Sequence, residues 1–471
     1  LTLIKDYLDE PFILINGDIL TLLNFKNLYN FSLNNKSSLT VSIKKHILPF
    51  AFGDILYEGD YVTGIKEKPK IEKYIIAGIY VMTPKIFSFI PNNKYFNMDE
   101  LIIKMLKKNI PIAKFEINDY WLDIGRIEDY KQAQNDYKNL FKWLIVDKLL
   151  ITGATGFIGS HLTEYCVEKG YNVIAFDRYN PNNNWGWLEK SKYLNDIEIV
   201  LGDVRDYDSV FNVMKRCDKV LHLAALIGIP YSYVSPLAYI RTNVEGTYNI
   251  LEASKHFNID DIIITSTSEV YGSAQYIPMD EKHPNIGQSP YSASKISADQ
   301  LSVSYHKSFG LPIKIVRPFN IFGPRQSPRA VIPTIILQIL KGNSKEIKLG
   351  GTSPTRDFTY VEDACSGFIE ILKSPKLFGE IINIGMNQEI SINNLSLKIA
   401  EISGLKKLNI SSEKDRIRPI NSEVNRLHCD NSKIIKNTKW KPEYDLELGL
   451  KKTINFFIKN KMNYKPHIYH I

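Results

Sequence analysis

The chain has 471 residues, 44% hydrophobic and 23% charged, which at about 100–200 residues per domain makes two to four domains. Composition this ordinary excludes wholesale disorder and collagen-like or proline-rich architectures. Lys and Arg number 59 against 51 Asp and Glu, a net charge of +8, spread along the chain as solubility charge and not packed into a nucleic-acid-binding stripe.

No apolar run approaches the ~20 residues of a membrane span, and no signal peptide is visible. Cys166, Cys217, Cys365 and Cys429 form no CxxC pair. That argues against a zinc site or disulfide framework and for reduced thiols in a cytoplasmic protein. The first residue is Leu1 rather than Met, so the expectation is an N-terminus lying further upstream.

Residues 1–145 read as one unit, in which short apolar runs (PFILINGD, LTVSIKK, YIIAGIYVM) alternate with turns. PFILINGD ends in Asp18, IKEKP surrounds Glu67, and WLDIG carries Asp123 ahead of EDYKQA. Strand-end carboxylates can hold Mg²⁺ against phosphates, and they are equally ordinary turn residues. The order and spacing of these segments resemble the sugar-phosphate nucleotidyltransferases. The resemblance implies that Asp18 and Asp123 hold the metal. About the first third of such a domain, with its Gly-rich, Arg-containing loop and strand lysine, has no counterpart here. The expectation is a partial α/β domain without activity of its own. The seam, KWLIVDK over 142–148, contains no Gly, Ser or Pro and suggests two neighbouring pathway genes joined in one reading frame.

Residues 146–471 change character: strands and helical patterns alternate. KLLITG, YNVIAFD, IEIVLGD, KVLHLAA, DIIITSTS and IKIVRPFN read as strands, and HLTEYCVEKG as a helix. This predicts an α/β, doubly wound parallel (Rossmann) sheet over about 148–317 and a smaller substrate-binding subdomain mostly over 318–460.

After the first of these strands comes Gly153-Ala-Thr-Gly156-Phe-Ile-Gly159, a GxxGxxG turn into a helix. Glycines let the backbone turn tightly against a pyrophosphate, and the helix N-terminus offers N–H donors. The next strand ends at Asp177, 177 − 159 = 18 residues on, near the ~20 expected for the acid that binds the ribose hydroxyls. Asp177 favours NAD over NADP by repelling a 2′-phosphate, and Arg178 beside it pulls the other way. Asp203, ending the third strand, reads equally as an adenine contact or a strand cap. His222 in HLAA reads as packing beside the cofactor.

Tyr291-Ser-Ala-Ser-Lys295 is YxxxK, which places both side chains on one face of a helix opened by Ser289 as N-cap and Pro290 as first residue. A lysine ammonium beside the phenol is expected to lower its pKa from ~10 and make Tyr291 an acid–base. At the end of the strand before it lie Thr267, a candidate partner for a substrate hydroxyl, and Glu269, a base or a solvated loop acid.

TGATGFIG, HLAA, TSTSEVYG, YSASK and RPFNIFGPRQ together resemble the extended short-chain dehydrogenase/reductases that act on nucleotide sugars, over about 148–460. LIGIPYSYVSPLAYIRTNVEGTYNIL, SPTRDFTYVEDA and RPINSEVNRLHCDNSK look most like the NAD-dependent 4,6-dehydratases of the legionaminic-acid route. The resemblance implies a UDP- or GDP-N-acetylglucosamine substrate converted to its 4-keto-6-deoxy form, tightly held NAD, and a homodimer. It implies Phe157, Ile158, Val204, Leu223, Ala224, Ala225 and Asn243 around the cofactor. It implies Asn320, Arg325, Arg356 and Arg418 around the substrate, the arginines at its diphosphate. It makes Tyr291 the base at the C4 hydroxyl, Lys295 its partner and Glu269 the base at C5. Where dTDP-glucose dehydratases have Asp for the leaving hydroxyl, this chain has Ser268, a poor acid, and that role stays open. Four readings compete: 4,6-dehydratase, 4-epimerase or decarboxylase of the same fold, nucleotidyltransferase, and silent cofactor sensor. Glu269 favours the first.

Overall fold

The computed structural model describes residues 2–49, 52–68, 70–91, 94–140, 147–182, 184–341, 346–405, 407–413 and 416–460. Most of the seam, 142–146, lies outside them. The chain divides into two compact units, 1–145 and 146–471. Among the described residues no helix is long and apolar enough to cross a membrane.

The first unit has the strands β1 (Phe12–Ile15), β2 (Ile19–Thr21), β3 (Leu39–Pro49), β4 (Asp54–Glu58), β5 (Tyr61–Lys66), β6 (Lys70–Met82), β7 (Ala113–Glu116) and β8 (Trp121–Asp123), with helices α1 (Phe25–Asn34), α2 (Met98–Lys107) and α3 (Ile127–Leu140). Its main sheet runs β1-β6-β3-β7, with β7 parallel to β3 and the other pairs antiparallel. Residues alternate across β6. Tyr80 and Met82 join Leu39, Leu101 and Met105 on one face, while Ala77, Ile79 and Val81 join Leu28 on the other.

The second unit is built on seven parallel strands in the order β11-β10-β9-β12-β13-β14-β19. They are β9 (Lys148–Thr152), β10 (Asn172–Arg178), β11 (Ile197–Gly202), β12 (Lys219–His222), β13 (Asp261–Thr265), β14 (Ile313–Pro318) and β19 (Ile381–Ile384). Both faces of the sheet are covered, so the strands are near-continuous apolar runs; β13, DIIIT, is buried throughout. The order reverses between β9 and β12, which opens a crevice at the carboxyl ends of those strands.

Helices α4 (Phe157–Glu168), α5 (Tyr207–Met214), α6 (Ile229–Val234), α7 (Pro236–Tyr239), α8 (Gly246–Phe257) and α9 (Pro290–Phe309) follow the strands. Between α7 and α8 the backbone makes a π-helical turn, Ile240–Glu245. Ser289 caps α9 by accepting from Ser292 N, Pro290 is its first residue, and Gly310, at φ +71°, ends it in the left-handed conformation. Beyond β14, short strands β15 (Asn320–Phe322), β16 (Glu346–Leu349), β17 (Thr355–Arg356) and β18 (Phe358–Tyr360), with α10 (Val331–Lys341) and α11 (Val361–Leu372), build the smaller part of the unit. The four cysteines are free, buried thiols.

Candidate active site

The glycine turn sits at the switch point. Gly153 has φ +70°, and a Cβ there would lie 2.9 Å from Ala224 N, so the loop after β12 presses directly on it. A Cβ on Gly159 would lie 2.0 Å from Gly153 O: the first turn of α4 rests on the loop itself. Thr152 fixes the floor, its Oγ1 accepting from Leu223 N and Ala224 N, both at 3.1 Å. With two acceptor contacts used, its hydrogen points to His222 Nδ1 at 2.8 Å, which leaves the imidazole hydrogen on Nε2, toward Thr247 Oγ1 at 3.3 Å. Burial, with the Lys295 charge behind it, pushes His222 down to about 3. It is a neutral packing residue.

Asp177 Oδ2 accepts from Thr155 N at 2.7 Å and Thr155 Oγ1 at 2.6 Å, so its carboxylate stands at the rim of the glycine turn, with Arg178 exposed beyond it. Asp203 is gripped by Arg205 through Nε and Nη2, which holds its pKa below the ordinary value. Val204, behind it, is buried, and its carbonyl accepts from Asn249. Phe157 and Ile158 begin α4 beside the turn and pack on the core. Leu223, Ala224 and Ala225 line the crevice, half-exposed. Asn243 departs from expectation. In the π-helical turn its amide bonds Leu226 N, Leu226 O and Ser294 Oγ, so its polar atoms are spent inside the protein, pinning the loop after β12 to α9. The cradle, the helix N-terminus and the strand-end acid fit a dinucleotide.

Thr267, Ser268 and Glu269 follow β13, where a 3₁₀ turn, Ser268–Tyr271, opens with Thr267 Oγ1 accepting from Glu269 N at 3.2 Å. Ser268 is buried inside the turn, while Thr267 and Glu269 are half-buried at its surface. Tyr291, across from them, is hydrogen-bonded by Thr267 and feels the Glu269 charge. Its ring meets Tyr239 edge-on at 6.1 Å. Here the structure corrects the sequence-based expectation for Tyr291. Burial raises the phenol well above its ordinary value, outweighing the Thr267 hydrogen bond, with the Glu269, Tyr239 and Asp299 charges pushing the same way as burial. Lys295 does not offset it. Its Nζ donates to Thr265 O at 2.7 Å, and burial brings the ammonium itself down to about 8, opposed by Asp299.

Asp299, one turn beyond Lys295, is fully buried. Its Oδ2 accepts from Ser266 Oγ, Arg317 Nε and Arg317 Nη2 at 2.9–3.0 Å, and Arg317 lies over the Tyr271 ring at 4.7 Å. Tyr291, Lys295 and Asp299 thus form one column on α9. The YxxxKxxxD spacing over 291–299 is the sequence signal for Asp299.

On the substrate side, Arg356 is buried and feels the Glu269 charge. Its Nη2 meets Glu423 Oε1 at 3.1 Å, and Arg418 Nη1 reaches the same oxygen at 3.5 Å. Sequence reasoning missed Glu423. Asn320, on β15, has a buried Oδ1 with no partner among the described residues, as a ligand-facing amide would. Arg325 is not with the other two arginines. At φ +69° it turns back, and its Nη2 pairs with Glu164 on α4 at 2.9 Å, while Pro324 O meets His161 Nε2 at 3.0 Å. It braces the helix of the glycine turn.

In the first unit, Asp123 pairs in register with Ile19 beside Asp18. Its carboxyl is raised by burial and then by the Asp18 and Asp129 charges. Among the described residues no group of three or more His, Cys, Asp or Glu side chains is placed to hold a metal ion.

A dinucleotide crevice opening onto a Thr–Glu–Tyr–Lys cluster defines an NAD-dependent enzyme of the extended short-chain dehydrogenase/reductase kind. The chain belongs to the GDP-mannose 4,6 dehydratase family, whose model matches residues 150–453; its N-terminal residues 1–139 match the nucleotidyl transferase family. It is similar to the dTDP-D-glucose 4,6-dehydratase of Homo sapiens, 31% identical over 68% of this chain and 92% of the relative. It is also similar to the UDP-glucuronate 4-epimerase of Thermodesulfobacterium geofontis, 32% identical over 66% of this chain and 96% of the relative. Among solved structures, the dTDP-glucose 4,6-dehydratase of Bacillus anthracis in complex with NAD superposes with a TM-score of 0.61 at 29% identity, covering 68% of this chain and 99% of that one.

Proposed function

We propose that the protein is a nucleotide-sugar 4,6-dehydratase that converts UDP- or GDP-linked N-acetylglucosamine to its 4-keto-6-deoxy derivative, in legionaminic-acid or related surface-glycan synthesis in the cytoplasm. The observation that carries this reading is Glu269: a half-buried carboxylate at the reaction centre, close enough to Tyr291 and Arg356 to act on both. A 4-epimerase leaves the C5 proton in place and has no need of such a base.

The glycine turn, Asp177 and the loop 223–225 would hold the NAD. Bound there, NAD would supply the hydride exchange between C4 and C6 and the positive charge of its oxidised ring. Tyr291 receives the proton of the C4 hydroxyl, with Thr267 orienting that hydroxyl. Burial keeps the phenol of the free protein neutral, so Tyr291 acts as a base only after losing its own proton to solvent, which takes positive charge beside it beyond what Lys295, one turn along, supplies alone. The C4 ketone acidifies C5, and Glu269 takes that proton. Of the triplet, Glu269 alone is a carboxylic acid. Its acquired proton leaves with the C6 hydroxyl as water, and C5 regains a proton of solvent origin. Asn320, Arg356 and Arg418 receive the nucleotide diphosphate, guanidiniums suiting phosphate by their fork.

Ser268, in place of an acid, favours a second reading as 4-epimerase or uronate decarboxylase. Incubating the protein with UDP- and GDP-N-acetylglucosamine separates them: a product lighter by one water means dehydration, and unchanged mass with an inverted C4 means epimerisation. In the first unit, Asp18 and Asp123 would hold Mg²⁺, which screens phosphate charge. The family resemblance and the exposed Leu237, Ile240 and Tyr248, on α7, the π-helical turn and α8, support a homodimer. Light scattering at micromolar concentration should give twice the chain mass.

A further inference from the structure

Glu423 lies in a segment anchored well beyond ordinary surface coil. Ser422 Oγ donates to Gln288 O at 2.6 Å and accepts from Tyr233 on α6 at the same distance. Gln288 Nε2 donates to Asn421 O at 3.1 Å, and Thr355 N to Asn425 O at 3.0 Å. The backbone on both sides of Glu423 is therefore tied to the loop ahead of α9 and to β17. One carboxylate oxygen is shared by two guanidiniums, Arg356 Nη2 at 3.1 Å and Arg418 Nη1 at 3.5 Å. Arg356 has little freedom to turn elsewhere: its Nη1 donates to Thr355 O at 2.9 Å, and its side chain is 8% exposed.

A phosphate seeks the same donors from the same fork. Any anion that binds these arginines has to share them with Glu423 or push it aside, and two oxyanions of like charge at one guanidinium repel. Glu423 itself is 23% exposed and sits on an unbranched, three-torsion side chain, so it can swing toward solvent. Arg356 cannot.

We propose that Glu423 is a specificity residue of the diphosphate seat, a resident carboxylate that competes for Arg356 and Arg418 and so sets the charge a ligand must bring. A nucleoside diphosphate, with two phosphate groups to spread over two guanidiniums, displaces it. A nucleoside monophosphate engages the pair poorly. Discrimination then comes from a built-in repulsion as well as from attraction. This inference rests on the assignment of Arg356 and Arg418 to the diphosphate.

The test is calorimetric titration of the NAD-loaded full chain with UDP, UMP, GDP and GMP, using wild type, Glu423→Gln and Arg418→Gln. Glu423→Gln should bind the preferred nucleoside diphosphate about tenfold more tightly, equivalent to about 1.4 kcal/mol. The monophosphate should gain more, so that the diphosphate-to-monophosphate preference shrinks. A residue that merely holds the loop in place cannot produce a gain. Diphosphate affinity that is unchanged or weaker in Glu423→Gln, while Arg418→Gln loses tenfold or more, overturns the inference and leaves the arginine assignment standing. If Arg418→Gln binds diphosphate as wild type does, the assignment fails and the inference with it. Should Glu423→Gln fold poorly, Glu423→Asp retracts the carboxylate by one methylene and should tighten diphosphate binding about threefold; no tightening there overturns the proposal equally.

Discussion

Replacing Gly159 by alanine should unseat the nucleotide turn. The added Cβ would stand 2.0 Å from Gly153 O and 2.8 Å from Ala154 Cα, where ordinary contact begins at 3.4 Å. The shortfall, 3.4 − 2.0 = 1.4 Å, falls on backbone that cannot rotate away. Helix α4 must lift off the turn, and Leu162 and Cys166, fully buried on that helix, lift with it. Overpacking of a well-filled core costs about 1–3 kcal/mol, and a backbone clash belongs at the upper end. At about 2 °C per kcal/mol for a large domain, the midpoint of thermal unfolding should fall by about 6 °C. NAD affinity, followed by calorimetry, should fall at least a hundredfold, because the N–H groups of the first turn would no longer point at a pyrophosphate. Gly156→Ala is the control for stability: its Cβ would meet Gly153 O at 3.4 Å, an ordinary contact, so the fold should lose no more than about 1 kcal/mol. A Gly159→Ala protein that melts with the wild type and binds NAD normally refutes the packing argument.

Three further outcomes follow from Tyr291, Glu269 and Lys295. Tyr291→Phe should abolish turnover while NAD binding, measured by calorimetry, stays within about twofold, since the turn and Asp177 hold the cofactor. Glu269→Gln should cut formation of dehydrated product by about 10²–10⁴, the usual share of a general base; wild-type product made in heavy water should carry deuterium at C5, and unlabelled product excludes removal of that proton. Lys295, brought down to about 8 by burial, is charged below that pH and neutral above it, so the rate should fall as pH rises through about 8. Lys295→Arg, charged throughout, should lose that alkaline limb in a pH–rate profile.

What the sequence made legible is what local spacing decides. GxxGxxG after a strand, an acid 18 residues on, and YxxxK behind a Ser–Pro cap each fix geometry within one turn or one βαβ unit, and the residues lie where those periods put them. The sheet order follows from the same alternation. What stayed hidden depends on residues far apart in the chain. Arg325 reads as a phosphate ligand until Glu164, 161 positions earlier, is seen to take it. Glu423 meets Arg356 across 67 positions, with no periodicity to announce it. The direction of the Tyr291 shift depends on how much of the protein closes over the phenol, a tertiary quantity that a YxxxK spacing does not contain. Asn243 is a case of the right neighbourhood and the wrong partner, because the π-helical turn rotates its amide into the protein.

The four buried thiols have a consequence for how this fold can be watched. Burial raises each of them above the usual thiol range, so a disulfide or maleimide reagent finds no thiolate on the closed protein. Each reacts only when its own neighbourhood opens. Cys166 lies on α4, Cys217 just past α5, Cys365 on α11, and Cys429 beside Met279 in the part that carries Arg418 and Glu423. Labelling followed cysteine by cysteine with mass spectrometry would give four local opening rates from the unaltered chain, which separates breathing of the nucleotide helix from breathing of the substrate-side segment.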